Sequence, residues 1–212
     1  LSDVTRRRGL CFVVAAPSGA GKSTITRALL AREPALFLSV SVTTRAPRPG
    51  ELEGVHYYYR SDAEFARMAA SGDLLEHATV FGRGYGTPRA PVESALSAGR
   101  DVALDIDWQG FRQLRAALPA DSVGVFILPP SLDILEARLR ARGSDDAAEV
   151  TRRMRAARAE ISHYGEFDHV LVNDDLQSCI ESVRAVLLAA RCTVGRSLGA
   201  GDLARAMATP EG

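Results

Sequence analysis

Residues 10–24 read LCFVVAAPSGAGKST, and this stretch decides the architecture. An almost wholly apolar run, 10–16, stops abruptly at Pro17-Ser18-Gly19-Ala20-Gly21, and helix-forming residues begin at Lys22. The pattern predicts a buried strand, a tight glycine loop and a helix. In such a loop the glycines let consecutive backbone N–H groups turn toward one point. The following helix adds its partial positive charge there, so the hollow suits an anion.

Lys22 and Ser23 complete the pattern GxxxxGK[ST], in which the lysine reaches the β and γ phosphates and the hydroxyl ligates Mg²⁺. Ser18, Gly19, Ala20, Gly21, Lys22, Ser23 and Thr24 are therefore the candidate residues for a nucleotide's phosphates. The first glycine of the pattern is replaced by Ala16; it only opens the turn, and an alanine at negative φ serves there. Composition gives independent support, because Lys22 is the only lysine among 26 basic residues and the rest are arginines. Its fall on this one position by chance is roughly a 1-in-200 event. A cradle with room for one compact ammonium does not accept the planar guanidinium fork.

At 212 residues and 46% apolar, the chain can bury a sizeable core, and one domain with insertions is expected. Acidic and basic residues balance at 26 each, so no global field recruits nucleic acid or an anionic membrane. No run of eighteen apolar residues and no signal-peptide pattern occurs, which predicts a cytoplasmic protein. The absence of an initiator methionine suggests a processed or renumbered start. Cys11, Cys179 and Cys192 form no CxxC pair, and His56, His77, His163 and His169 show no ligand spacing; separate thiols are expected, without zinc or disulfides.

Beyond the loop, Pro34 ends the first helix, and 36–44 (LFLSVSVTT) reads as one strand. Two prolines and a glycine then hold 45–51 (RAPRPGE) extended, so that Arg45 and Arg48 can project toward a common point. A short aromatic strand is expected over 55–59, a capping box at Ser61-Asp62-Ala63-Glu64, and a strand over 74–81 carrying Glu76. Residues 82–87 read as a loop, and 91–98 as a helix with proline in its first turn.

Residues 101–107 (DVALDID) read as a core strand whose Asp105 and Asp107, two apart, share one face at its C-terminal end. Ligands bind at that edge of an open parallel sheet. One of the two acids, with Asp105 put first, is expected to hold Mg²⁺ directly or through water. A helix over 109–118, a buried strand over 123–128 and a helix capped by Ser131 and stopped at Gly143 follow. Apolar Val150, Met154, Ala157 and Ile161 mark an amphipathic helix over 145–164, and seven arginines lie between Arg138 and Arg158. A short strand ending at Asn173 and a helix over 176–191 close the pattern; from 193 onward periodicity is lost, and a frayed or disordered tail is expected. Strands alternating with helices imply a parallel sheet covered on both faces, a P-loop NTPase-type α/β fold.

With these pieces in order, the sequence resembles the guanylate kinases, and closely the bacterial ones. The matching stretches are APSGAGKST, SVTTRAPRPGE with GVHYYY, LLEHATVFGRGYGT, LDIDWQG, FILPPS, RLRARG, RRM and VNDD, in family order from about residue 10 to 190. The resemblance implies a nucleotide-binding core over 1–37, 91–137 and 165–192, a GMP-binding subdomain over 38–90 and an arginine-rich helical lid over 138–164. It implies that Arg45, Arg48, Tyr57 and Tyr85 hold the GMP phosphate, that Glu76 and Thr87 read guanine with Ser41 and Asp107 nearby, and that Arg142 and Arg153 contact the transferring phosphoryl group. Arg138 is a weaker candidate, and Asn173 falls near the adenine. Thr87 stands where relatives often have serine, and the hydroxyl survives.

A glutamate suits guanine, whose N1–H and N2 amine are adjacent donors, whereas adenine presents a lone pair at N1. The implied reaction is ATP + GMP ⇌ ADP + GDP, with Mg²⁺, and with dGMP accepted because no identified residue reads the 2′-hydroxyl. Lys22, Arg45, Arg142 and Arg153 would carry the catalysis. A GTPase would share Asp107-Trp108-Gln109-Gly110 as DxxG, but its NKxD reader needs a second lysine. A non-catalytic phosphopeptide-binding relative would typically lack the phosphate loop or the lid arginines. A sugar-phosphate kinase of this fold would not need Glu76, Tyr85 and Thr87 together. Oligomeric state is not legible.

Overall fold

In the computed structural model, which describes residues 4–141 and 146–209, the chain builds two sheets. The larger is wholly parallel, in the order β2-β7-β1-β8-β9, from β1 (Cys11–Ala15), β2 (Leu36–Leu38), β7 (Asp101–Leu104), β8 (Ser122–Leu128) and β9 (His169–Val172). Because alternate strand residues face opposite ways, β1 feeds two cores. Phe12 and Val14 join Ile25 and Leu29 of α1 (Lys22–Arg32) and Ile180, Val183 and Leu187 of α7 (Leu176–Arg191). Cys11 and Val13 join Val92 and Leu96 of α3 (Arg89–Ser97) and Phe111 and Leu114 of α4 (Trp108–Ala117) on the other face. The sheet is covered on both faces, as the alternation of elements requires. Among the described residues, no helix is long and apolar enough to cross a membrane.

The smaller sheet runs β4-β3-β6-β5, from β3 (Val42–Thr43), β4 (Tyr58–Tyr59), β5 (Leu74–Val80) and β6 (Arg83–Pro88). Here the sequence reading needs correction. The single strand expected over 36–44 is split: Leu36–Leu38 pairs with β7 in the large sheet, and after 39–41 the chain enters the small one. Periodicity cannot show this, since both halves are extended and only their partners differ. Residues 82–87, expected as a loop for their glycines, form β6, paired antiparallel with β5. The turn is only Phe81-Gly82, both at positive φ (49° and 72°), the two-residue geometry that suits a hairpin. Of the aromatic strand expected over 55–59, Tyr58–Tyr59 alone is in the ladder, with Tyr57 in an isolated bridge to Glu53.

Ser61 and Glu64 form the expected capping box of α2 (Asp62–Ser71). The helix over α3 begins at Arg89, so Pro91 is its third residue, still in the first turn where no intrahelical bond is lost. α5 (Leu132–Ala141), capped by Ser131 Oγ, packs through Leu135 and Leu139 on Val150 and Ala157 of α6 (Ala147–Ile161). A single 3₁₀ turn, Tyr164–Glu166, follows. Gly143, expected to stop α5, lies outside the described residues.

The expected disordered tail is also corrected, because residues 198–208 form α8 (Leu198–Ala208). Its approach is fixed by Arg196, only 7% exposed, which donates to Ala120 O at 2.7 Å and to Gly9 O at 3.4 Å beside Asp121. Arg8 shares Asp121, and Arg6 pairs with Asp202 on α8. These polar anchors carry no helical periodicity, so the hydrophobic pattern misses them.

Candidate active site

The phosphate loop leaves β1 at Ala15 and enters α1 at Lys22. Gly21 is left-handed at φ 101°, and a Cβ there would lie 2.5 Å from Asn173 Nδ2, so both conformation and space demand glycine. Asn173, itself buried, donates through that nitrogen to Ala20 O at 2.8 Å and ties the loop to the end of β9. Ala16 is not among the described left-handed residues, which accords with an alanine opening the turn.

Ser18, Gly19, Gly21, Lys22, Ser23 and Thr24 line a cavity of about 300 Å³ with Asp107, Trp108 and Glu160. Lys22 Nζ is paired with Asp105 Oδ1. The expectation that Asp105 and Asp107 share one strand face does not hold, because β7 ends at Leu104. Asp105 lies beyond the strand. Asp107 caps α4, its Oδ1 accepting from the N–H groups of Gln109 at 2.9 Å and Gly110 at 3.0 Å. A capping acid adopts an extended backbone and starts a helix, which ends the strand's alternation early.

A second cavity, of about 480 Å³, opens on the other side of the same residues. Lys22, Asp105, Ile106 and Asp107 form one wall, and Ser41, Tyr57, Glu76, Tyr85 and Gly86 of the small-sheet region the other. Glu76 is 6% exposed, accepts from Thr87 Oγ1 at 2.7 Å, and makes no ion pair among the described residues. Burial pushes its carboxyl above the ordinary glutamate value, the Thr87 hydroxyl partly offsetting this and the nearby Asp107 charge adding to it. Gly110 makes room for it, since a Cβ there would come within 2.9 Å of Glu76 Oε2.

Arg45 is fixed at the rim of this cavity by Glu51. Arg45 Nη2 donates to Glu51 Oε1 at 2.8 Å, and the Arg48 backbone N–H and the Tyr59 hydroxyl donate to Glu51 Oε2 at 2.7 and 2.8 Å. Arg45 holds the Glu51 carboxyl down to about 2, with the other donors helping. Its guanidinium lies over the Tyr57 ring, 5.3 Å from the centroid, and Tyr57 stands edge-on to Tyr85. Arg48 is exposed in the same turn.

The arginine-rich helices α5 and α6 reach the loop and its neighbour Asn173. Arg153 Nη2 donates to Ser18 Oγ at 2.6 Å, and Arg138 Nη2 to Asn173 O at 3.2 Å. Arg138 and Asn173 line a third hollow with Gly19, Gly21 and Thr24. Arg142 lies outside the described residues. Sequence reasoning missed Glu51 and Glu160 as site residues. Glu51 closes the Arg-Pro-Gly turn and is legible in hindsight as a counter-charge, whereas Glu160 carries no signal beyond one acid in a charged helix.

A phosphate-binding loop whose lysine and strand-end acids form the wall of a second, polar cavity defines a phosphotransferase that takes two substrates, one of them a nucleotide. The Guanylate kinase family model matches residues 8–190, and the chain belongs to that family. The chain is 65% identical over 190 residues to the guanylate kinase of Gluconobacter oxydans, covering 90% of this chain and 91% of that one. It is 64% identical over 193 residues to that of Granulibacter bethesdensis, with 91% and 90% covered. Among solved structures, guanylate kinase from Anaplasma phagocytophilum superposes with a TM-score of 0.75 at 34% identity, over 98% of this chain and 100% of that one.

Proposed function

We infer that the protein transfers the γ-phosphoryl group of ATP to GMP, giving ADP and GDP. The observation that carries this reading is the buried Glu76 carboxylate in a cavity that shares Lys22 and Asp107 with the phosphate loop. An acceptor-only group in a desolvated pocket pairs with guanine's two adjacent donors and meets a lone pair on adenine. Such sites reject the wrong edge by about 10⁴-fold or more, because buried groups are then left unpaired. dGMP should serve as well, since the residues assigned to the acceptor recognise its base and phosphate.

Residues 38–90 act as the GMP-binding subdomain, in which Arg45, Arg48, Tyr57 and Tyr85 hold the GMP phosphate. Two guanidiniums and two phenols suit a dianion, and Glu51 holds Arg45 ready for it. Ser41 and Thr87 flank Glu76 at the base, and Asp107 adds an acceptor on the opposite wall. On the donor side the loop amides from Ser18 to Thr24 and Lys22 take the ATP phosphates, with Asn173 at the adenine and Arg138, bonded to Asn173 O, a further ATP-binding candidate. Residues 138–164 act as a lid bringing Arg153, with Arg142, to the transferring group.

Ser23 and Asp105 would hold Mg²⁺. A hydroxyl and an exposed carboxylate beside the phosphate hollow are the hard oxygen donors this ion takes while keeping several waters. When bound, the ion neutralises charge on the donor phosphates. The chain's own work is to align two anions, screen their repulsion and exclude water. No general base is required, because the attacking phosphate oxygen of GMP is already anionic. Closure also limits transfer to water. A coupled ADP-release assay with GMP, dGMP, AMP and UMP tests the reading: turnover with GMP and dGMP and almost none with AMP or UMP is expected, and equal rates with AMP would overturn it.

A further inference from the structure

Glu160 has no part in the reaction described so far. It stands seven residues after Arg153 on α6, two helical turns, so the two side chains share a face. Both end on the same loop residue: Arg153 Nη2 donates to Ser18 Oγ at 2.6 Å, and Glu160 Oε2 accepts from the Ser18 backbone N–H at 3.3 Å. Glu160 also lines the 300 Å³ cavity with Lys22, Asp107 and Trp108. Amides in such a loop serve phosphate oxygens, and here the chain offers one of them its own anion. Burial pushes this carboxyl up, the Ser18 N–H and the Lys22 charge pull it back, and the Asp107 charge adds to the rise. Among the described residues this carboxylate makes no ion pair, and it lines the phosphate-loop cavity.

We propose that Glu160 is a specificity residue for the terminal phosphate of the donor: it occupies the Ser18 N–H of the loop, and a triphosphate has to displace it where a diphosphate does not. The inference rests on the assignment of ATP as donor. Lys22 and Ser23 lie where α1 begins, whereas Ser18 lies four residues before Lys22 in the loop and holds Arg153, the arginine assigned to the transferring group. On that assignment a carboxylate at Ser18 would stand closer to a γ-phosphate than to a β-phosphate held at the start of α1. After transfer that end of the loop is vacated and the carboxylate returns to Ser18. Donor and product therefore meet the Glu160 charge at different distances.

Calorimetric titration of wild type, Glu160→Gln and Glu160→Asp with ADP and with a non-hydrolysable ATP analogue, Mg²⁺ present and GMP absent, tests this. Glutamine keeps an acceptor for the Ser18 N–H and removes only the charge. Two like charges about 4 Å apart repel appreciably even when partly solvated, so Glu160→Gln is expected to tighten the analogue by about tenfold and to change ADP by less than about twofold. Glu160→Asp draws the carboxylate back by one methylene and shifts the same ratio by a smaller factor in the same direction. A purely structural role would move both nucleotides together. Equal changes for the two ligands, no change in either variant, or weaker binding of the analogue would overturn the proposal. Failure of the wild type to bind the analogue would overturn the donor assignment as well, whereas binding with an unmoved ratio would sink this inference alone.

Discussion

Replacing Glu76 by glutamine removes one charge and changes almost nothing in shape. In the free protein Oε1 accepts from Thr87 at 2.7 Å and Oε2 lies against Gly110 and the cavity, so acceptor sites remain for a base. Guanine would donate to them from N1–H and N2, and a hydrogen bond to a charged group contributes about 1.5–3 kcal/mol. Glutamine can keep one acceptor, but its amide nitrogen then meets a guanine donor face to face. The expected loss is thus one charged bond plus one unpaired donor, about 3–4 kcal/mol, or roughly 10²–10³-fold in kcat/KM for GMP. The assay is ADP release as GMP is varied at saturating ATP, with ATP affinity expected to be unaltered.

The same substitution separates recognition from stability. Because burial raises the Glu76 carboxyl, the folded state holds a proton there more tightly than the unfolded chain does. The stability linked to this group is fully present below the unfolded pKa and is lost as pH rises through the folded one, so at neutral pH the charge is a net cost. Glu76→Gln should leave Tm unchanged or raise it, while GMP turnover collapses. In the wild type, GMP affinity should fall on acidification sooner than an ordinary glutamate would dictate, and that acid limb should vanish in the variant. GMP kinetics within about threefold of wild type would refute Glu76 as the reader.

Three further outcomes follow from the geometry. Lys22→Ala should lower kcat by about 10²–10³-fold, with GMP affinity by calorimetry within about threefold, because the ammonium acts on the donor phosphates; weak GMP binding would place it in the other site. Arg45→Ala should weaken GMP binding by about 10²-fold, and normal binding would remove Arg45 from the phosphate site. It also releases the Glu51 carboxyl from about 2 toward the ordinary value. The stability from that pair, present above the unfolded pKa and lost as pH falls toward about 2, should then be missing from the acid limb of unfolding. Arg196→Met should cost about 2–3 kcal/mol in urea unfolding by stranding two carbonyls and weakening the hold on α8, and an unchanged midpoint would mean that α8 docks without it.

What was legible in the sequence divides along a physical line. β1, the phosphate loop, α7 and the capping box of α2 are specified by local chemistry, and they fall where local rules put them. Glu76 on an apolar strand is similarly visible. The split of 36–44 between two sheets is not, because a strand's partner is chosen by residues far away: Leu36 answers to Asp101 and Val42 to Gly86. β6 was hidden by its glycines, which propensity assigns to loops but which here leave room for neighbours. A Cβ at Gly84 would strike the Phe65 ring at 2.8 Å, and one at Gly86 would strike Glu76 O at 2.9 Å. α8 was hidden because its dock is polar, built on Arg196, Asp121 and backbone carbonyls rather than on an apolar stripe.

The two cavities share Lys22, Ile106 and Asp107, so whatever fills one lies against a wall of the other. β7 lies between β1 and β2 in a parallel sheet, so its C-terminal end opens beside the loop that follows β1. The same three-residue turn, 105–107, then has to face both substrates. It does so by division of labour: Asp105 neutralises Lys22, whereas Asp107 starts α4, whose Gly110 packs on Glu76. A phosphate drawn to Lys22 would compete with Asp105 for it at the boundary between the two cavities.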